Sequence, residues 1–162
     1  MEWEWEYLIK ILIAAILGGI IGAEREYTGK AAGLRTFIIV TLGSCLFTII
    51  SINIINDPAR IAAQIVSGIG FIGAGLIIFQ QEKQTIKGLT TAAGLWMVAA
   101  IGMAVGFGFY ILAGLSTIIA ILILMGLRGP ERFLDKRAYI AYQKRIQKEN
   151  KEKMDSNATQ NF

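Results

Sequence analysis

Five apolar stretches alternate with short clusters of charge along the chain. They run at about Tyr7–Ala23, Phe37–Ile55, Ile61–Phe79, Leu89–Val105 and Phe107–Leu127. Each approaches the roughly 20 helical residues that cross a hydrocarbon core of about 30 Å. The pattern predicts an all-α integral membrane protein of five transmembrane helices. The last two stretches cannot be one element, because a single helix from Leu89 to Leu127 would be roughly 58 Å long at about 1.5 Å per residue. Gly102, Gly106 and Gly108 are therefore expected to mark a tight hairpin between them.

The charges between the stretches give an orientation. With the N-terminus outside, the inner segments hold Arg25, Lys30 and Arg35, then Lys83 and Lys87, then nine basic residues of the tail, fourteen of the sixteen in the chain. Cytoplasmic segments carry such an excess, so the C-terminus is expected in the cytoplasm. Lys10 falls inside the first stretch, from which it can snorkel outward past Trp3, Trp5 and Tyr7. A cleaved leader would begin with basic residues, whereas Glu2, Glu4 and Glu6 stand here, so the first span is expected to remain.

Composition agrees with a bilayer as solvent: 54% of residues are hydrophobic and the mean hydropathy is +0.54. A single cysteine, Cys45, leaves no partner for an internal disulfide, and without histidine a zinc or haem site has almost no ligands, so no cofactor is expected. The net charge of +4 sits almost wholly in the tail and gives no reason to invoke nucleic acid.

No linker rich in proline or serine separates the spans. Residues 1–127 read as one transmembrane domain and 128–162 as a basic cytoplasmic tail. Pro58 follows Asp57, which can cap the third helix while proline takes its first turn; Pro130 separates the fifth span from the tail. The tail reads as a modestly amphipathic helix to about Lys153, able to lie on anionic headgroups, or as a solvated, partly frayed helix, with a disordered end from Asp155.

Candidate chemistry concentrates on the third stretch. Asp57, Arg60, Gln64 and Ser67 recur at three- and four-residue spacing and share one helix face. Ionisable groups in lipid are costly, so this face is expected to look inward, as a polar pathway or binding cleft or as interhelical glue. Gly68, Gly70, Gly73 and Gly75 follow. They contain a G-x-G-x-x-G string, but a membrane-length context makes close helix contact, or a local break, the better reading than nucleotide binding. Gly18 and Gly22 form a second small-residue stripe suited to packing or self-association, and a homo-oligomer is expected.

The segment from Glu24 to Thr36 packs five charges between apolar stretches, with Glu26 and Lys30 at i,i+4 distance. It fits either a re-entrant closure or an ordinary basic loop. Thr90 and Thr91 stand in the first turns of the fourth helix, where a hydroxyl serves either a ligand or the neighbouring backbone.

Three strings carry a family resemblance: Arg25-Glu-x-x-x-Lys30-x-Ala-Gly-Leu-Arg-Thr36, Asp57-Pro-x-Arg-Ile-Ala-Ala-Gln-Ile-Val-Ser-Gly-Ile-Gly-Phe-Ile-Gly-Ala-Gly75 and Lys87-Gly-Leu-Thr-Thr-Ala-Ala93. In this order, over about residues 7–127, they resemble the MgtC/SapB family of bacterial inner-membrane proteins. The resemblance implies five spans, a link to magnesium homeostasis and, in some pathogens, modulation of the membrane ATP synthase. It gives candidate importance to Arg25, Glu26, Lys30, Arg35, Asp57, Arg60, Gln64, Thr90 and Thr91. The chain has only about 35 residues after the fifth stretch, where longer members carry a soluble domain, so it resembles the short form.

Two functions are expected from these observations. One is a conduit for Mg²⁺ or another ion, with Asp57 at its outer mouth, Gln64 and Ser67 along it, and Glu24 and Glu26 at its inner mouth; Mg²⁺ keeps most of its waters and meets one or two carboxylates. The other is a non-transporting modulator of a membrane complex such as an ATP synthase or a cation pump. Enzyme activity is not expected, since no nucleophile and base pair can be read.

Overall fold

The computed structural model describes residues 2–54, 58–80 and 85–127. Five helices run in the order α1 (Glu2–Tyr27), α2 (Leu34–Ile54), α3 (Pro58–Gly75), α4 (Leu89–Gly106) and α5 (Tyr110–Gly126). Between α3 and α4 lies a small antiparallel hairpin, β1 (Ile78–Gln80) paired with β2 (Thr85–Lys87), with Phe79 opposite Ile86. The third apolar stretch was expected to stay helical to Phe79, but α3 stops at Gly75 and its last apolar residues enter this hairpin. Asp57 and the tail from residue 128 onward, with the expectations attached to them, lie outside the described residues.

The charged segment after the first stretch is partly helix. Glu24, Arg25 and Glu26 continue α1, as good helix formers do where a helix leaves the hydrocarbon. The helix ends at Gly29, whose φ of 61° places it in the left-handed region. There Gly29 N–H donates to the Glu26 carbonyl and Lys30 N–H to the Arg25 carbonyl, at 3.0 and 3.1 Å. This Schellman geometry satisfies carbonyls left open by the helix end. The same motif ends α4: Gly108, at φ 86°, donates to Val105 and Phe109 to Ala104. Of the three glycines expected at this hairpin only Gly108 makes the turn, while Gly102 and Gly106 lie within α4.

Those two glycines bring α4 onto α2. A Cβ at Gly102 would collide with the Thr41 carbonyl oxygen, and one at Gly106 would stand 2.6 Å from Thr48 Cβ. Gly18 and Gly22 of α1 do the same on the other side, where a Cβ would meet Thr41 and, at 2.9 Å, Leu34 Cα and Phe37 Cβ. Helices in lipid associate largely through such close packing, since lipid tails are as apolar as leucine. The closely packed pairs are α1 with α2, α2 with α4, α3 with α4, α1 with α4 and α2 with α3. One buried cluster joins Ile65 and Ile69 of α3 to Ala99 of α4, flanked by Val40, Ile61 and Met103.

Three helices, over Trp5–Tyr27, Leu34–Asn53 and Leu89–Gly106, are long and apolar enough to cross a membrane. Ala59–Gly75 and Tyr110–Gly126 are shorter apolar helices. A first compact unit covers Met1–Leu122 and a second begins at Ile123.

Candidate functional site

On α3 the side that faces α4 is apolar. Ile65 and Ile69 are buried at 9% and 8% exposure, and Gly73 lies 3.5 Å, measured from an added Cβ, from the Ala92 side chain. Arg60, Gln64 and Ser67 are exposed in the single chain. The inward polar face expected from their spacing is therefore corrected for one copy: Ile61, Ile65 and Ile69 share the same spacing and take the packing position. Ser67 returns its hydroxyl to the Ala63 carbonyl at 3.0 Å, which satisfies it without another helix. Among the four glycines of this helix, only Gly73 approaches another element; Gly68, Gly70 and Gly75 open onto space.

At about 100° per residue the exposed part of α3 has two flanks. Gln64 lines a slot of about 500 Å³ between α2 and α3 together with Ser44, Phe47 and Gly68, and Arg60 is exposed one turn before it. Opposite α4 lies a second flank of small residues, Ala63, Ser67, Gly70 and Ala74, all exposed.

The buried polar residues are elsewhere. Thr41, Ser44, Thr48 and Ser51 recur along α2 and are 0–4% exposed. Thr41 donates to the Phe37 carbonyl at 2.7 Å and Thr48 to the Ser44 carbonyl at 2.8 Å, while Gly18, Gly102 and Gly106 press against them. The Thr41 and Thr48 hydroxyls are thus turned back onto their own helix in tight packing, an arrangement that glues helices and leaves no room beside these two for a hydrated ion. Ser51 Oγ is buried with no hydrogen-bond partner among the described residues. The spacing of these four residues is present in the sequence as a stripe, but short hydroxyl residues cost little in a span and carry no charge that marks them.

At the α1–α2 turn, Arg25 is 2% exposed and its Nη2 donates to Glu24 Oε1 at 3.0 Å, with Nε on the other carboxylate oxygen. This two-pronged contact is the geometry in which a guanidinium best meets a carboxylate. Glu26 accepts from the Leu34 amide at 3.0 Å and so caps α2; no ion pair joins it to Lys30 among the described residues. Lys30 and Arg35 are exposed, as is Thr90, whereas Thr91 is buried at 3%. At the far end of the bundle Lys10 pairs with Glu6 at 2.8 Å, and Tyr7 donates to Asn53 Oδ1 at 2.9 Å, tying α1 to α2. The structure thus separates the candidates into a turn cluster and an open α3 face. Among the described residues no group of three or more acidic, cysteine or histidine side chains could hold a metal ion.

Comparison with known proteins adds the lineage. The family model described as the MgtC family matches residues 11–133. The chain is 46% identical over 129 residues to the Escherichia coli K12 protein named "Putative magnesium transporter YhiD", covering 74% of this chain and 59% of that one. It is 45% identical to Protein SapB of Bacillus subtilis, over 65% of this chain and 49% of the relative, and 47% identical to Protein MgtC of Salmonella typhimurium LT2, over 70% and 48%. The chain spans about half the length of these curated relatives. No solved structure matches it. With the family model covering most of its length and the helices apolar enough for a bilayer, this chain is a membrane protein that belongs to the MgtC family.

Proposed function

We propose that this protein serves magnesium homeostasis in the bacterial inner membrane as a non-enzymatic modulator, by associating with another membrane protein through α3. The observation that carries this reading is the uncovered small-residue flank of α3, Ala63, Ser67, Gly70 and Ala74. Small residues on a helix within lipid allow the backbone of a partner helix to come close. The link to magnesium comes from the name of the Escherichia coli relative. The glycine-packed hydroxyls of α2 argue against an ion path between α1, α2 and α4 of one copy.

A second reading keeps ion transport. If two copies close over α3, the polar residues of both chains line one seam, and a Mg²⁺ path runs between copies. The readings separate in proteoliposomes under an imposed Mg²⁺ gradient. The modulator reading expects no uptake above empty vesicles by folded protein, at any protein-to-lipid ratio. Uptake that rises with that ratio and falls at least tenfold in Gln64→Leu overturns it in favour of a path between copies.

A further inference from the structure

We infer that the slot between α2 and α3 is a binding site for one phospholipid, with its phosphate on Arg60, an ester carbonyl on Gln64 and an acyl chain lying past Gly43 and Gly68. The inference is independent of the magnesium reading.

The shape comes first. The slot holds about 500 Å³ and is lined almost wholly by apolar side chains, from Ile61 at one end of α3 to Ile72 at the other. Eleven residues of rise, at about 1.5 Å each, give roughly 17 Å, about the depth of one leaflet of a 30 Å hydrocarbon core. Its walls are two packed helices, and its volume and length suit an extended chain. Gly43 on α2 and Gly68 on α3 both line it, and at neither would an added Cβ meet anything within 4 Å. The protein leaves this volume unfilled from both sides.

Polarity then sets the direction. Arg60 is exposed and has no ion pair among the described residues. It stands one turn before Gln64 and next to Ile61, which lines that end of the slot, near the end at which α3 begins. A guanidinium there meets lipid phosphate, which it can hold through paired N–H donors. Gln64 follows about 6 Å deeper at helical rise, where glycerol esters sit below a phosphate, and its amide offers two donors. Below it the slot is bare of charge. An acyl chain gains little from leaving other lipid tails, so retention rests on fit and on these polar contacts. The positive charge of the guanidinium favours an anionic headgroup.

The test is native mass spectrometry of the full chain released from phosphatidylcholine nanodiscs containing a minority of phosphatidylglycerol. The expected result is one retained phospholipid per chain, enriched several-fold in phosphatidylglycerol over the disc. Gly43→Leu and Gly68→Leu place side chains in the slot from positions where a Cβ meets nothing within 4 Å, and are expected to lose that lipid while melting no lower than the parent. Arg60→Gln is expected to keep a lipid but lose the enrichment. The inference is overturned if both leucine variants keep the adduct, if only detergent is retained, or if the slot-filling variants instead disrupt a dimer, which would make a second copy its occupant.

Discussion

Arg25 illustrates how a residue can be prominent in a sequence and yet placed where its neighbours do not foretell. Among five charges between two apolar stretches it looks like one more basic residue of a cytoplasmic loop; in the structure it is almost fully buried and held by Glu24. Burial of this pair is costly unless both partners stay together, and breaking a buried pair by removing one partner costs about 3–5 kcal/mol. Arg25→Met is therefore expected to lower stability by that order, measured as urea or thermal unfolding of the purified protein in detergent. Adding Glu24→Met should recover a large part of the loss. Equal losses in the single and double variants would show that the two residues are not coupled. Glu26, one position later, points elsewhere and caps α2, so neighbours with similar charge do different jobs. No spacing rule distinguishes them, because both assignments depend on where the chain turns at Gly29.

At the level of elements, the helices and most of their limits follow from hydrophobic length and glycine turns, whereas the rotation of α3 does not. Ile61, Ile65 and Ile69 repeat at the same interval as Arg60, Gln64 and its neighbours, so the sequence offers two faces of equal regularity. The rule that polar groups turn inward assumes that the interior of one chain is the only shelter from lipid. Here α4 presents Ala92 and Ala99 to the apolar face of α3, and the polar flank is left outward. The end of α3 was missed for a related reason: Ile77, Ile78 and Phe79 prolong the apolar stretch, yet branched and aromatic residues serve a β-hairpin as readily. Packing of α4 on α2 was legible only in part, since glycine appears alike in turns and at close contacts. Gly102→Ala places a methyl group against the Thr41 carbonyl and is expected to cost about 1–3 kcal/mol as overpacking. Gly114→Ala, in open space on α5, should be neutral or slightly stabilising. Comparable thermal midpoints for the two variants would contradict the packing described for α2 and α4.

Helices α1 to α4 pack together as a membrane-embedded group, with a buried stripe of hydroxyl residues on α2 and an open face on α3. Its membership of the MgtC family covers residues 11–133, which reaches the end of the described helices, and the chain amounts to about half of each relative it matches. The account of what it does rests on the outward setting of α3, and spin-label accessibility reads that setting most directly. With Cys45 replaced by alanine, single labels at positions 63, 65, 67, 69 and 70 in the reconstituted full chain, at low protein-to-lipid ratio, would be tested against oxygen and a water-soluble nickel chelate. The account predicts high oxygen accessibility at 63, 67 and 70, low accessibility to both reagents at 65 and 69, and little access of nickel along the helix. Labels at 65 and 69 open to oxygen, with nickel reaching 67, would contradict it and return the polar face to the interior of the chain.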